Sequence, residues 1–232
     1  MGGQACVFYG AAEFSRDLDL LILADSENLA TLRPALDCLE AELIAVPAFE
    51  ERYLLRGHAV HFRCRRADVA GLRVDLMACL RGVAGFEELW ARRTTLEVAG
   101  ESVELLTLDD LVRAKKTQRD KDWPMLRRLV EQSYFGHSGN PSPELVGFWL
   151  RELRTPELLV EVAAAHPEPA RAEAASRPAV RAALSHVMDD VREALEAEER
   201  EEHRKDRDYW EPLKRELEQI RLDRRKKKNG EA

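Results

Sequence analysis

Asp17 and Asp19 stand two residues apart at the mouth of an apolar run, Leu18 to Leu23. In an extended chain, side chains at that spacing emerge on one face, roughly 7 Å apart at the Cα atoms. Asp75 repeats the oddity inside Leu72-Arg-Val-Asp-Leu-Met77, a second apolar segment with strand character. Clustered carboxylates beside buried strands repel one another and lose hydration unless a positive charge lies among them. A divalent cation with oxygen ligands, such as Mg2+, answers both problems, so Asp17, Asp19 and Asp75 are candidate metal ligands and catalytic acids. Arg16 and Arg73 lie close in sequence and offer the other solution, structural ion pairs.

The elements that must position these acids follow from periodicity. Leu18 to Leu23 reads as a strand covered on both faces and central in its sheet. Ser26 is placed to cap a helix whose Leu29, Leu32, Leu36, Leu39 and Leu43 form one stripe. Ala59 to Cys64 and Leu72 to Ala78 read as strands, and Phe86 to Arg93 as a short helix after Gly85. Thr94 to Val98 and Val103 to Thr107 bracket Ala99-Gly100-Glu101 as a hairpin. Thr107-Leu-Asp-Asp110 has the form of a capping box, its Asp110 carboxylate set against free amides of the first turn. The fold class expected is mixed α/β up to about residue 135. A Gly/Pro-rich linker follows at 136–143, then an all-helical region over 144–223 and a disordered basic tail over 224–232. The helices of that region are expected at Pro143, at Thr155-Pro156 and, as one long pattern, from Pro178 onward. Within this last pattern, Glu196 to Asp208 is almost wholly charged and reads as a solvated helix.

After the capping box, Leu108, Leu111, Lys115, Arg119, Asp122, Leu126 and Leu129 recur at helical spacing, a stripe with apolar ends and a charged middle. Lys115, Lys116, Arg119 and Lys121 could neutralise a triphosphate, or form a solvated face or an ion-pair ladder. Pro124 is a candidate break in that helix.

Composition bounds the rest. The 232 residues are 45% hydrophobic and 34% charged, and no apolar run approaches the length of a membrane span. The formal net charge of -7 means that contact with nucleic acid must come from a local patch. Cys6, Cys38, Cys64 and Cys79 show no metal or redox spacing and read as small core residues, and the histidines show no zinc spacing. With no secretory pattern, a reducing cytoplasm is expected.

Upstream of the Asp-x-Asp lies Gly2-Gly3-Gln-Ala-Cys-Val-Phe-Tyr-Gly10, then Ala-Ala-Glu-Phe-Ser15-Arg-Asp17-Leu-Asp19. This resembles the nucleotidyltransferase superfamily related to DNA polymerase β, in its minimal, AbiEii-like branch of toxin–antitoxin systems. There a Gly-Gly opens a short helix, a Ser or Thr precedes the Asp-x-Asp, and a third acid follows on another strand. The resemblance implies transfer of a nucleoside monophosphate from an NTP to a hydroxyl with two Mg2+ ions. Asp17 and Asp19 would bridge the metals, Asp75 would serve the ion that activates the hydroxyl, and Gly2, Gly3 and Ser15 would contact phosphate. The family also carries a Lys/Arg cluster where Lys115, Lys116, Arg119 and Lys121 stand. It implies as acceptor a tRNA 3′ end, a protein such as a cognate toxin or antitoxin, or a small molecule. Two positions depart from the pattern. Glu13 stands where many relatives have Arg, and Met1 directly precedes the Gly-Gly where relatives have a β-strand, so the core is read as missing its first strand. A degenerate, non-catalytic module that binds a partner protein is the alternative these departures suggest.

Overall fold

The computed structural model describes residues 1–230 in backbone, and side chains through residue 227. It is mixed α and β, and the chain divides into two units. Met1–Phe8, Ala12–Ala114 and the chain from Arg207 onward make the first, and Tyr9–Ala11 with Lys115–Asp206 the second.

In the first unit α1 (Gly2–Phe8) precedes β1 (Asp17–Leu21), α2 (Ser26–Cys38), β2 (Ala41–Leu43), α3 (Glu51–Leu55), β3 (Val60–Cys64) and β4 (Arg73–Met77). The strands form one sheet in the order β1-β4-β3-β2, with β1 and β4 parallel and the other pairs antiparallel. Strand alternation sends Val60, Phe62, Cys64, Val74 and Leu76 to one face, where they join Leu29 and Leu36 of α2 in the core. Phe49 meets Phe62 edge to face at 5.6 Å. The opposite face collects Asp17, Asp19, His61, Arg63, Arg73 and Asp75, because paired residues on neighbouring strands share a side.

Several expectations change here. β1 is an edge strand, not a central one, since β4 is its only strand partner among the described residues. Leu18 and Leu20 are accordingly half-buried, covered on the core face alone. Asp25, in extended conformation, caps α2 in place of Ser26, its Oδ1 accepting from the Asn28 amide at 2.7 Å. The helix ends at Cys38, which is exposed, and Leu43 belongs to β2.

The rest of the first unit holds α4 (Phe86–Ala91), the hairpin β5 (Thr94–Val98) and β6 (Glu101–Leu105), and α5 (Leu108–Ala114). Ala99 and Gly100, at φ 53° and 86°, make a two-residue turn, so β6 starts two residues earlier than its apolar pattern suggests. Thr107 Oγ accepts from the Asp110 amide at 3.2 Å, as a cap should. The Asp110 carboxylate, however, does not serve helix amides. It takes both Arg92 nitrogens, at 2.7 and 2.9 Å, and the Thr107 hydroxyl at 2.8 Å.

Burial pushes the Asp110 carboxyl up, yet Arg92 and Thr107 outweigh it and hold it below the ordinary value. A depressed carboxyl contributes stability that is present above its unfolded value, about 3.9, and lost as pH falls through the lower folded value. Asp110→Asn is therefore expected to cost about 1 to 3 kcal/mol at neutral pH. In urea melts across pH, the gap to the parent protein should close below about pH 4. A gap that stays constant with pH would mean that the Arg92 pair contributes nothing through charge.

The second unit is helical: α6 (Asp122–His137), α7 (Pro143–Glu152), α8 (Pro156–Ala165), α9 (Pro167–Glu173), α10 (Pro178–Ser185) and the start of α11 (Met188–Gly230). The helix expected from Thr107 through Leu129 is broken, since 115–121 is a loop. Thr117 and Arg119 both bind Asp122, at 2.6 and 2.7 Å, and the Trp123 indole donates to Thr117 O at 2.9 Å. Pro124 lies in the first turn of α6, whose amides have no intrahelical partner, so it breaks nothing.

The stretch 136–143 is a turn inside this unit, and the division falls after Ala114. α6 runs through Gly136 and His137, Ser142 caps α7, and the buried Trp149 of α7 donates to Ser133 Oγ of α6 at 3.0 Å. The pattern from Pro178 is interrupted at His186, a left-handed residue at φ 58°. The charged stretch 196–208 is not wholly solvated, because Asp206 is 2% exposed and accepts the Gln118 amide at 2.9 Å. Residues 224–230, read as tail, continue α11, and 231–232 lie outside the described residues.

Candidate functional site

Register decides which acids meet. Asp19 lies directly opposite Asp75 on the adjacent parallel strand, and Asp17 opposite Arg73, all on the face away from the core. Asp17 is exposed and Asp19 half-buried, and neither has a side-chain ion pair among the described residues. Asp75 differs. It is 7% exposed, and its Oδ1 receives Arg73 Nε at 2.7 Å and lies 2.8 Å from His61 Nδ1.

Burial pushes the Asp75 carboxyl up, but the bonds from His61 and Arg73 prevail and hold it below the ordinary carboxylate value. The Arg73 guanidinium is raised by Asp75 and, at longer range, by Asp17 and Asp19. The two cation sources proposed for these acids thus separate: Arg73 serves Asp75, and Asp17 and Asp19 keep open carboxylates. His61 was missed in the sequence. Its signal, a polar residue between Val60 and Phe62, becomes informative only once β3 is known to put it opposite Asp75.

The Gly-Gly pair meets the same place from α1. Gly2 has φ 69°, and a Cβ there would lie 1.8 Å from Asp19 Oδ2. A Cβ on Gly3 would lie 2.4 Å from Ser15 Oγ. Both positions therefore exclude side chains because Asp19 and Ser15 are packed against the backbone. The Gly3 amide donates to Asp19 Oδ2 at 3.4 Å, the Met1 amine to Asp19 O at 3.0 Å, and the Ser15 hydroxyl to Asp17 O at 3.1 Å.

The donor set, carboxylate oxygen on adjacent strands, fits a hard divalent cation in kind. Asp17 and Asp19 are the groups free to hold one, with Asp75 beside them already charge-balanced by its neighbours. As the side chains stand, no three His, Cys, Asp or Glu groups among the described residues converge closely enough to form a metal shell.

Lys115, Lys116, Arg119 and Lys121 all belong to the second unit and lie in the loop before α6. With that loop the helical phase that joined them is gone. Lys116 pairs with the buried Glu152 at 2.7 Å and Arg119 with Asp122 at 2.7 Å, so these charges already have partners within the unit.

No helix among the described residues is long and apolar enough to cross a membrane. In comparisons with protein-family models, curated proteins and solved structures, the chain matches none of them.

Proposed function

We propose that the first unit is a Mg2+-dependent nucleotidyltransferase centre that moves a nucleoside monophosphate from an NTP to a hydroxyl. The observation that carries this reading is the register that sets Asp19 beside Asp75 with Asp17 on the same face. The close approach of Gly2 and Gly3 to Asp19 and Ser15 supports it, as does the order of these residues in the chain. Asp17 and Asp19 would hold the cation, whose contribution when bound is to neutralise phosphate charge and polarise the reacting phosphoryl group. Arg73 and His61 keep Asp75 ionised and fix its orientation. The nucleotide role of Lys115, Lys116, Arg119 and Lys121, and the choice of tRNA, protein or small molecule as acceptor, rest on the family resemblance alone.

One observation favours a second reading. Asp75 is already engaged by the Arg73 guanidinium and by His61, as in a centre that has become structural, and the domain would then serve as a binding module. Titration calorimetry with an NTP separates the two. The catalytic reading expects binding with Mg2+ or Mn2+ and none with chelator, since uncompensated carboxylates repel a triphosphate. Equal affinity in both conditions, or no binding in either, would favour the module.

A further inference from the structure

The sheet of the first unit ends in two edges, and they differ. At β1 the edge is met by the Met1 amine, which donates to Asp19 O at 3.0 Å. At the other edge, β2 has no strand beyond it among the described residues. Ile44 donates to His61 O at 3.0 Å and Arg65 to Glu40 O at 3.1 Å, so the even-numbered residues of this stretch turn their backbone groups to β3. The N–H and C=O groups of Ala41 and Leu43 therefore point outward from the sheet. Apolar side chains flank that row on both faces. Leu43, paired with Phe62 on the core face, is 37% exposed, and Ile44, on the opposite face by alternation, is 40% exposed.

The charge beside this edge comes from α11. In the part of that helix that belongs to the first unit, Leu213, Leu217 and Ile220 repeat at four and three and are buried or half-buried. The same stripe continues as Arg221 and Arg224, so apolar packing stops where the helix passes residues 43–46. A groove of about 550 Å³ is left there, lined by 43–46 on one side and by Arg221, Arg224 and Arg225 on the other. Nearby acids do not offset these cations. Glu42 is held by Arg65 at 2.8 Å, Glu218 lies 3.4 Å from Arg221, and Asp223 accepts from Gln219 at 2.9 Å. Arg224 and Arg225 are exposed and have no ion pair among the described residues. In a chain of net charge -7 this is a local positive patch.

We propose that this groove takes an extended acidic segment of a partner protein, laid along β2 as an added strand. Its backbone pairs with Ala41 and Leu43, its apolar side chains cover Leu43 and Ile44, and its Asp or Glu residues meet Arg224 and Arg225. A polynucleotide would satisfy the arginines but would leave the outward amide row and the two apolar side chains unused. β2 is only three residues long, so backbone pairing alone is weak and charge must supply much of the attraction. The groove lies at the edge opposite β1, so the proposal does not depend on the reading given to Asp17, Asp19 and Asp75.

The test is fluorescence anisotropy on the full chain, with chelator present, using three labelled probes. They are a short peptide of alternating Glu and Val, the same peptide with prolines in place of its central valines, and a single-stranded RNA of equal charge. The Glu-Val peptide should bind and should weaken as salt is raised. The proline form should bind at least about tenfold more weakly, because proline lacks the N–H that strand pairing needs, and the RNA more weakly than the parent peptide. Arg224→Glu combined with Arg225→Glu should abolish peptide binding. Leu43→Pro should weaken it about tenfold, since it removes an outward donor and leaves the bonds to β3 in place. Arg224 and Arg225 are exposed, so their variant decides the matter even where Leu43→Pro does not fold. Absence of peptide binding, or unchanged affinity in the arginine variant, would overturn the proposal. Equal binding of the proline form would reduce the groove to a polyanion patch, and tighter binding of the RNA would make it a nucleic-acid surface; either result also overturns it.

Discussion

Replacing Asp19 by Asn, or Asp17 by Asn, is expected to abolish nucleotidyl transfer while leaving the melting temperature unchanged or raised. Neither carboxylate has a side-chain cation among the described residues, and Asp19 lies beside the ionised Asp75. Removing one like charge from that face relieves repulsion in the metal-free protein, so folding has nothing to lose. Activity has much to lose, because a neutral amide is a far poorer ligand for a hard cation. Even partners that only orient metal ligands are worth about 10 to 100-fold, so loss of a direct ligand should exceed about 100-fold. Asp75→Asn should behave differently. It breaks the bonds from Arg73 and His61 and leaves those groups facing a neutral side chain, so it should lower stability as well as activity. The measurement is transfer of labelled nucleotide alongside thermal melts of the three variants. A marked loss of stability in the Asp17 or Asp19 variant would instead mean that these acids hold the fold together.

Gly2→Ala should damage the same centre by a steric route. The residue sits at φ 69°, where an L side chain is strained, at a cost of about 1 to 3 kcal/mol. Its Cβ would stand 1.8 Å from Asp19 Oδ2, 2.4 Å from Cγ and 2.6 Å from the Asp19 Cβ. Because the clash reaches the root of the Asp19 side chain, a rotamer change cannot relieve it and either strand or helix must move. A displacement of about 1 Å at a reacting group costs on the order of 100-fold in rate. Gly3→Ala is the internal comparison. It meets only the Ser15 hydroxyl and Cβ, at 2.4 and 3.0 Å, and its φ is not positive, so rotation of a hydroxyl absorbs much of the contact. Transfer rate and urea midpoint should fall in the order parent, Gly3→Ala, Gly2→Ala. A fully active Gly2→Ala protein would show that Asp19 does not have to stay where α1 holds it.

Much of the molecule follows from local rules that act over a few residues. The period of two along a strand puts Asp17 and Asp19 on one side before any partner is known. Val60–Cys64, Arg73–Met77, the Phe86 helix and the proline-started helices at Pro143 and Pro156 lie where their patterns place them. The hairpin forms too, with Gly100 suited to the positive φ of its turn, although β6 begins at Glu101, ahead of its apolar pattern, and Ala99 must also take a positive φ.

Tertiary structure decided what those rules cannot reach. Whether Asp19 faces Asp75 or a neighbour one residue away is a matter of register, set by the packing of Leu18, Leu20, Val74 and Leu76 against the core rather than by the acids. The same register brought His61 to Asp75 across 14 positions of sequence, and a sheet with β1 at its edge left that strand's apolar residues half-covered. The stripe from Lys115 to Lys121 kept its helical spacing in sequence and lost its helix in space. Asp122 and Asp206 draw Thr117, Arg119 and Gln118 into a loop, and hydrogen bonds to buried carboxylates outweigh a propensity worth only tenths of a kcal/mol per residue. Arg154 carries the same lesson: its sequence neighbours do not mark it as buried, and it reaches Glu198 only at 3.4 Å, because Arg177, just ahead of α10, holds the carboxylate they share. Periodicity is a property of one segment, whereas the pairing of charges belongs to segments that only the folded chain brings together.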